Sequence, residues 1–108
     1  MTNRAIMDKS MSEEDFARAV VDLALSCGWK VNREPPWRMA SRLRGKAQDS
    51  RNGFPDLVLA RGGQVIFAEL KAQKGRVSAA QWAWLNELVG HDYVWRPSDW
   101  EVIVEVLR

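Results

Sequence analysis

The sequence predicts an α/β protein of the α+β type, with a mixed sheet flanked by helices in the order α-β-β-β-α-β-α. Three observations carry this. Residues 56–61 and 64–71 are β-prone runs on either side of Gly62-Gly63, the spacing of a tight hairpin. Three stretches place apolar residues at helical spacing, each behind a capping residue. Two shorter runs, 29–33 and 93–96, have strand character and follow helix stops.

The first helix starts at Ser12, an N-cap followed by Glu13, Glu14 and Asp15, whose charges complement the helix dipole. Phe16, Val20, Leu23 and Cys27 form its apolar stripe, with Ala17 and Ala24 beside them, and Gly28 is the stop. Residues 34–52 open with Pro35-Pro36 and define no regular element, although 37–44 could form a short helix. Gly62-Gly63 supplies the positive φ values of a type I′ turn. The second helix spans 78–89, with Ser78 and Gln81 at capping-box spacing and Gly90 behind it. Ser98 and Glu101 repeat that spacing before Trp100, Ile103, Val104 and Leu107. The 108 residues then fit one domain, 12–108, behind a loose N-terminal arm, 1–11.

Composition excludes several classes. With 46% apolar and 28% charged residues the chain is neither collagenous nor low-complexity. No apolar run approaches the roughly 18–20 residues of a membrane span, and the polar N-terminus lacks a signal-peptide core. A cytoplasmic protein is expected. One cysteine, Cys27, and one histidine, His91, exclude an internal disulfide and most Cys- or His-based metal and triad schemes. Chemistry therefore falls to carboxylates, lysine, arginine and the backbone. Net charge is only +2, but residues 30–51 carry seven basic side chains against two acidic ones. That stretch is either a solvated loop or a phosphate-contacting segment.

Register gives the sharpest chemical signal. Continuing the ladder from Arg61 opposite Gln64 brings Asp56 opposite Glu69, and facing residues have Cβ atoms about 4.5–5.5 Å apart. Lys71 shares their face by strand alternation. One hairpin face carries Leu57, Leu59, Ile66, Ala68 and Leu70. The other carries Val58, Ala60, Val65 and Phe67, so both are expected to be covered. Two carboxylates this close repel unless a proton or cation lies between them. The pairing suits Mg²⁺, a hard ion that takes carboxylates, waters and phosphate oxygens. The alternative is a surface Glu69–Lys71 salt bridge, with Asp56 as a turn residue.

Gly53-Phe54-Pro55-Asp56-Leu57, Ala68-Glu69-Leu70-Lys71, and then Gly75, Ser78, Gln81 and Trp84-Leu85 resemble the PD-(D/E)XK nuclease pattern. More narrowly they resemble the virus-type replication-repair nuclease family, VRR-NUC, and its small stand-alone phage members. The ordered set is far more specific than Pro-Asp or ExK alone, and the resemblance spans roughly 12–107. It implies a restriction-endonuclease-like core and Mg²⁺- or Mn²⁺-dependent hydrolysis of DNA phosphodiesters. It implies metal ligation by Asp56, Glu69 and the Leu70 carbonyl, with Lys71 as catalytic lysine. An acidic residue on the first helix is implied too. Glu13 is the choice, since it lies three before Phe16 on the stripe. Glu14 is the alternative, and dipole complementation is the plainer role for either.

Gln81 matches a glutamine such families carry near the site, and it also completes the capping box. One side chain is not expected to serve both fully. Similarity to Holliday-junction resolvases implies branched DNA and a homodimer, because resolving a junction takes two cuts. A phage-encoded member would work in the bacterial host or its nucleoid. Arg33 stands near where many relatives have histidine, a departure that leaves this position's role open. Candidate DNA-binding residues are Arg33, Arg38, Arg42, Arg44, Lys46, Arg51, Lys74 and Arg76. Trp37 either stacks on a base or anchors its loop, and His91 reads as a solvated loop residue. Most of the six tryptophans are expected in packing. The rival functions are a nicking or restriction-like nuclease on ordinary duplex, and a non-catalytic DNA-binding module on the same fold.

Overall fold

The computed structural model describes residues 7–34 and 52–108. Its elements are α1 (Glu13–Ser26), β1 (Lys30–Arg33), β2 (Leu57–Arg61), β3 (Gln64–Leu70), α2 (Ala79–Glu87), β4 (Asp92–Trp95), a 3-10 turn (Pro97–Asp99) and α3 (Trp100–Leu107). The expected element order holds among the described residues. The short helix at 37–44 and the candidate contacts Trp37, Arg38, Arg42, Arg44, Lys46 and Arg51 lie outside them.

The four strands are ordered β1-β2-β3-β4. β1 and β2 pair antiparallel, as do β2 and β3. β4 runs parallel to β3, and α2 provides the crossover that a parallel pair requires. Gly62 and Gly63 both have positive φ, +58° and +84°, and set the register Arg61↔Gln64 through Leu57↔Ala68.

One sheet face is the core. Leu57, Leu59, Ile66, Ala68 and Leu70 pack with Phe16, Ala17, Val20 and Ala24 of α1 and with Ile103 and Leu107 of α3. Trp29 and Trp95 complete it, and every one of these residues is at most 3% exposed. Burying each large side chain contributes about 1.5–3 kcal/mol, which holds the strands and so the site. The Ser12 hydroxyl caps α1 by accepting from the Asp15 N–H at 3.0 Å, and Gly28 follows with φ +88°.

Two expectations are corrected. The second hairpin face is only partly covered. Phe54 reaches across it, edge-on to both Phe67 and Trp84 of α2, while Val65 near the turn is 36% exposed. Of the tryptophans among the described residues, Trp29, Trp84, Trp95 and Trp100 are packed as expected, and Trp82 is exposed. The Ser98–Glu101 capping box does not form: Pro97 opens a 3-10 turn, and the Asp99 carboxylate accepts from the Arg96 N–H at 2.9 Å. Ser98 is drawn to Gln73, accepting from its amide at 2.9 Å and donating its own N–H back at 3.0 Å. Smaller differences are at ends: α2 stops at Glu87, two residues early, and β4 begins and ends one residue early.

Candidate functional site

The site lies at the open end of the β2–β3 hairpin, away from its glycine turn. The chain reaches it through Gly53, whose φ is +87°. A Cβ there would fall 2.4 Å from the Ala80 carbonyl carbon and 2.7 Å from the Gln81 nitrogen, so only glycine lets this backbone rest on the first turn of α2. Pro55 is buried, and Phe54 packs on Trp84. Asp56 is thereby delivered one residue before β2.

Asp56 is held on both sides. Its carbonyl accepts from the Glu34 N–H at 3.1 Å, and its carboxylate Oδ2 accepts from the Leu70 N–H at 2.9 Å. The rung beyond Leu57↔Ala68 therefore brings Asp56 and Glu69 together, as the register arithmetic expects. Of the alternative reading, the Glu69–Lys71 ion pair does form, at 3.4 Å, but not at the surface, since Glu69 is only 1% exposed.

Glu69 Oε2 accepts from the Gln81 amide at 2.7 Å and faces the Lys71 ammonium at 3.4 Å. Its other oxygen, Oε1, is buried without a hydrogen-bond partner. Burial, and then the negative charge of Asp56, push the Glu69 pKa up to about 8, against the opposing pull of Lys71. The Lys71 side chain is itself only 12% exposed.

Gln81 overturns the expectation that it cannot serve two roles. Its Oε1 accepts from the Ser78 N–H at 2.7 Å, completing the capping box, while its Nε2 donates to Glu69. A backbone N–H can only donate, so the amide oxygen must face Ser78 and the amide nitrogen must face Glu69. The two ends of one amide do the two jobs, and α2 is registered against the acid.

A cleft of about 580 Å³ opens here, with Asp56, Leu70, Gln81, Glu13, Glu14 and Arg33 in its wall. A VRR-NUC domain model matches residues 8–108. The chain belongs to the VRR-NUC family. It is thus a member of a nuclease family that acts on DNA. No curated protein and no solved structure matches it.

The other expected residues of this VRR-NUC chain sort around the cleft. Glu13 stands in its wall. Glu14 is engaged elsewhere: both its oxygens accept from Arg33, at 2.6 and 3.2 Å, and one also meets Arg18 at 3.4 Å. Those guanidinium bonds, led by Arg33, hold the Glu14 carboxyl below the usual range. Among the described residues no three acidic, histidine or cysteine side chains converge on one point. Glu13 therefore shares the cleft wall with Asp56 without converging on Asp56 and the buried Glu69 together. Lys74 and Arg76 are exposed in the β3–α2 connection, which Arg96 holds through the Gly75 carbonyl at 2.8 Å. His91 is exposed after α2, its carbonyl accepting from Phe67. Glu34 was missed from sequence. It lies beside Asp56 and in the cleft wall. Extending β1 by one residue would have found it, but the following Pro35-Pro36 marks Glu34 as the start of a loop.

Proposed function

We propose that the protein is a divalent-metal-dependent endonuclease that hydrolyses DNA phosphodiesters, with Asp56 and Glu69 as the protein's carboxylate ligands for Mg²⁺ or Mn²⁺. The supporting observation is the Glu69 oxygen that is buried and unpartnered beside Asp56. A buried carboxyl held back from ionising by burial and by a second acid fits a hard cation, which would stabilise both charged forms. The Leu70 carbonyl is a further oxygen we assign to this ion, and Glu13, in the same cleft wall but not converging with the two acids, would reach it through an intervening water. When bound, the ion supplies Lewis acidity to a phosphate oxygen and acidity to water.

The chain's own residues do the rest. The Leu70 N–H fixes the Asp56 carboxylate, and Gln81 fixes Glu69 from α2. Both acids are thus positioned before substrate arrives. Lys71, largely shielded from water, stabilises charge that builds on the phosphate oxygens during in-line attack. Arg33, Lys74 and Arg76, with Arg38, Arg42, Arg44, Lys46 and Arg51, would hold the DNA backbone. Four-way or otherwise branched DNA as substrate, and a homodimer that makes paired cuts, rest on the likeness to junction resolvases.

The test is a labelled four-way junction and a matched linear duplex, each with Mg²⁺ or EDTA. Symmetric, Mg²⁺-dependent junction cuts are expected. Equal cutting of the duplex would replace the junction reading with a general nuclease. Binding without metal-dependent cleavage would overturn the enzymatic reading altogether.

A further inference from the structure

The cleft wall contains an ion pair that catalysis, as described, does not use. Arg33 grips Glu14 with two parallel N–H donors, at 2.6 and 3.2 Å. That two-pronged grip is also how a guanidinium takes a phosphate group. Arg33 comes from β1, opposite Leu57 and next to the residue that donates to Asp56. Its position is therefore one residue along the ladder from the proposed metal ligand.

We propose that Glu14 occupies Arg33 in place of a DNA phosphate, and that substrate entry exchanges one anion for the other. This rests on the DNA-hydrolysing reading of the same cleft. Two features make the exchange physically cheap. The side chains of Arg33 and Glu14 are 28% and 47% exposed, and exposed ion pairs add little net stability. Glu14 also has a second cation in reach, Arg18 at 3.4 Å one helical turn along α1, so releasing Arg33 does not strand its charge. Arg33 would then hold a phosphate flanking the reacting one, and Glu14 would set how much affinity that contact yields. Arg33 and Glu14 act here as affinity-setting residues, not as catalytic groups.

The exchange has a signature in the sign of a mutational effect. DNA binding is measured by fluorescence anisotropy on a labelled DNA duplex in Ca²⁺, to slow cleavage, for wild type, Glu14→Gln, Arg33→Gln and the double variant. Glu14→Gln should tighten binding roughly two- to fivefold, the range an exposed ion pair can withhold. Arg33→Gln should weaken binding and lower the slope of log K against log salt by roughly one. The double variant should match Arg33→Gln alone, because the gain from removing Glu14 passes through Arg33. An equal gain from Glu14→Gln with and without Arg33 would reduce the effect to general charge and overturn the exchange. A loss from Glu14→Gln would overturn it too, and would make the pair a brace between α1 and β1. Wild-type protein that fails to bind DNA at all would remove the nuclease reading as well, which separates the two failures.

Discussion

The two ends of the β2–β3 hairpin both carry charge inside the fold, and they treat it in opposite ways. At the turn end, Arg61 donates to the carbonyls of Cys27 at 2.8 Å, Leu107 at 3.0 Å and Arg108 at 3.2 Å. Its guanidinium also lies 4.4 Å from the Trp29 ring centre, and the Trp29 indole donates to Leu107 at 2.9 Å. One cation thus neutralises the carbonyl-rich C-terminal ends of α1 and α3 together. At the open end, Glu69 is buried with one oxygen unpartnered and a raised pKa. The first arrangement is complete within the chain, and the second leaves a buried oxygen without a donor, which is where the proposed function puts a cation. On the proposed function, the same ladder divides stability from function along about five residues of strand.

The largest effects should come from the open end. Asp56→Asn and Lys71→Ala are each expected to reduce DNA cleavage by at least about a hundredfold, the scale of losing one charge-stabilising group. Cleavage is compared per folded molecule, with thermal melts as the check on folding, because Asp56 accepts from the Leu70 N–H and Lys71 faces the buried Glu69. Turnover near wild type in either variant would move the chemistry elsewhere. The mirror experiment is at the turn. Arg61→Met should lower stability by roughly 2 kcal/mol, since it removes charged hydrogen bonds from partly buried carbonyls. Cleavage per folded molecule should be kept at a permissive temperature. A loss of activity without loss of stability would erase the contrast between the two ends.

The open end of this contrast was legible in the sequence, for identifiable reasons, and the Arg61 end was not. The Gly62-Gly63 turn leaves one plausible register, and register alone brings Asp56 to Glu69. The dual use of Gln81 was not legible, because spacing reveals a capping box but not where the free end of an amide points. Ser98 carries a capping signal as good as that of Ser78, yet Pro97 and a long-range partner, Gln73, claim it. The Arg33–Glu14 pair joins residues nineteen apart on different elements, a distance no local rule spans. Local chemistry was readable; contacts that depend on how helices lie against the sheet were not.

Glu69 also gives the open end a pH signature. Its carboxyl binds a proton more tightly folded, with pKa about 8, than at the ordinary value of 4.5 expected unfolded. The folded state therefore holds more protons between these values, and stability falls as pH rises through that window. The contribution is full below about 4.5 and gone above about 8. Melting temperature in EDTA should accordingly drop from pH 5 to pH 8, whereas Glu69→Gln should show a flatter profile. Saturating Mg²⁺ should recover stability mainly at the alkaline side, where the acid is ionised. Wild-type and Glu69→Gln curves that run parallel in EDTA would mean that burial does not control this group.

The smallest expected effect lies beside the site, and it tests how far the open end extends. Lys74 and Arg76 are exposed, but the connection that carries them is fastened to the fold by Arg96 and by the Gln73–Ser98 bonds. Cations on an anchored loop next to α2 would meet a DNA backbone without further ordering, so each can count as about one phosphate contact. Lys74→Gln with Arg76→Gln should weaken DNA binding a fewfold near physiological salt and lower the salt slope by roughly two. Cleavage of DNA already bound should keep its rate, because neither side chain lines the cleft wall with Asp56. An unchanged slope would confine substrate contacts to the cleft side of α2. A fall in the rate with bound DNA would instead show that this loop helps to set the geometry of the acids.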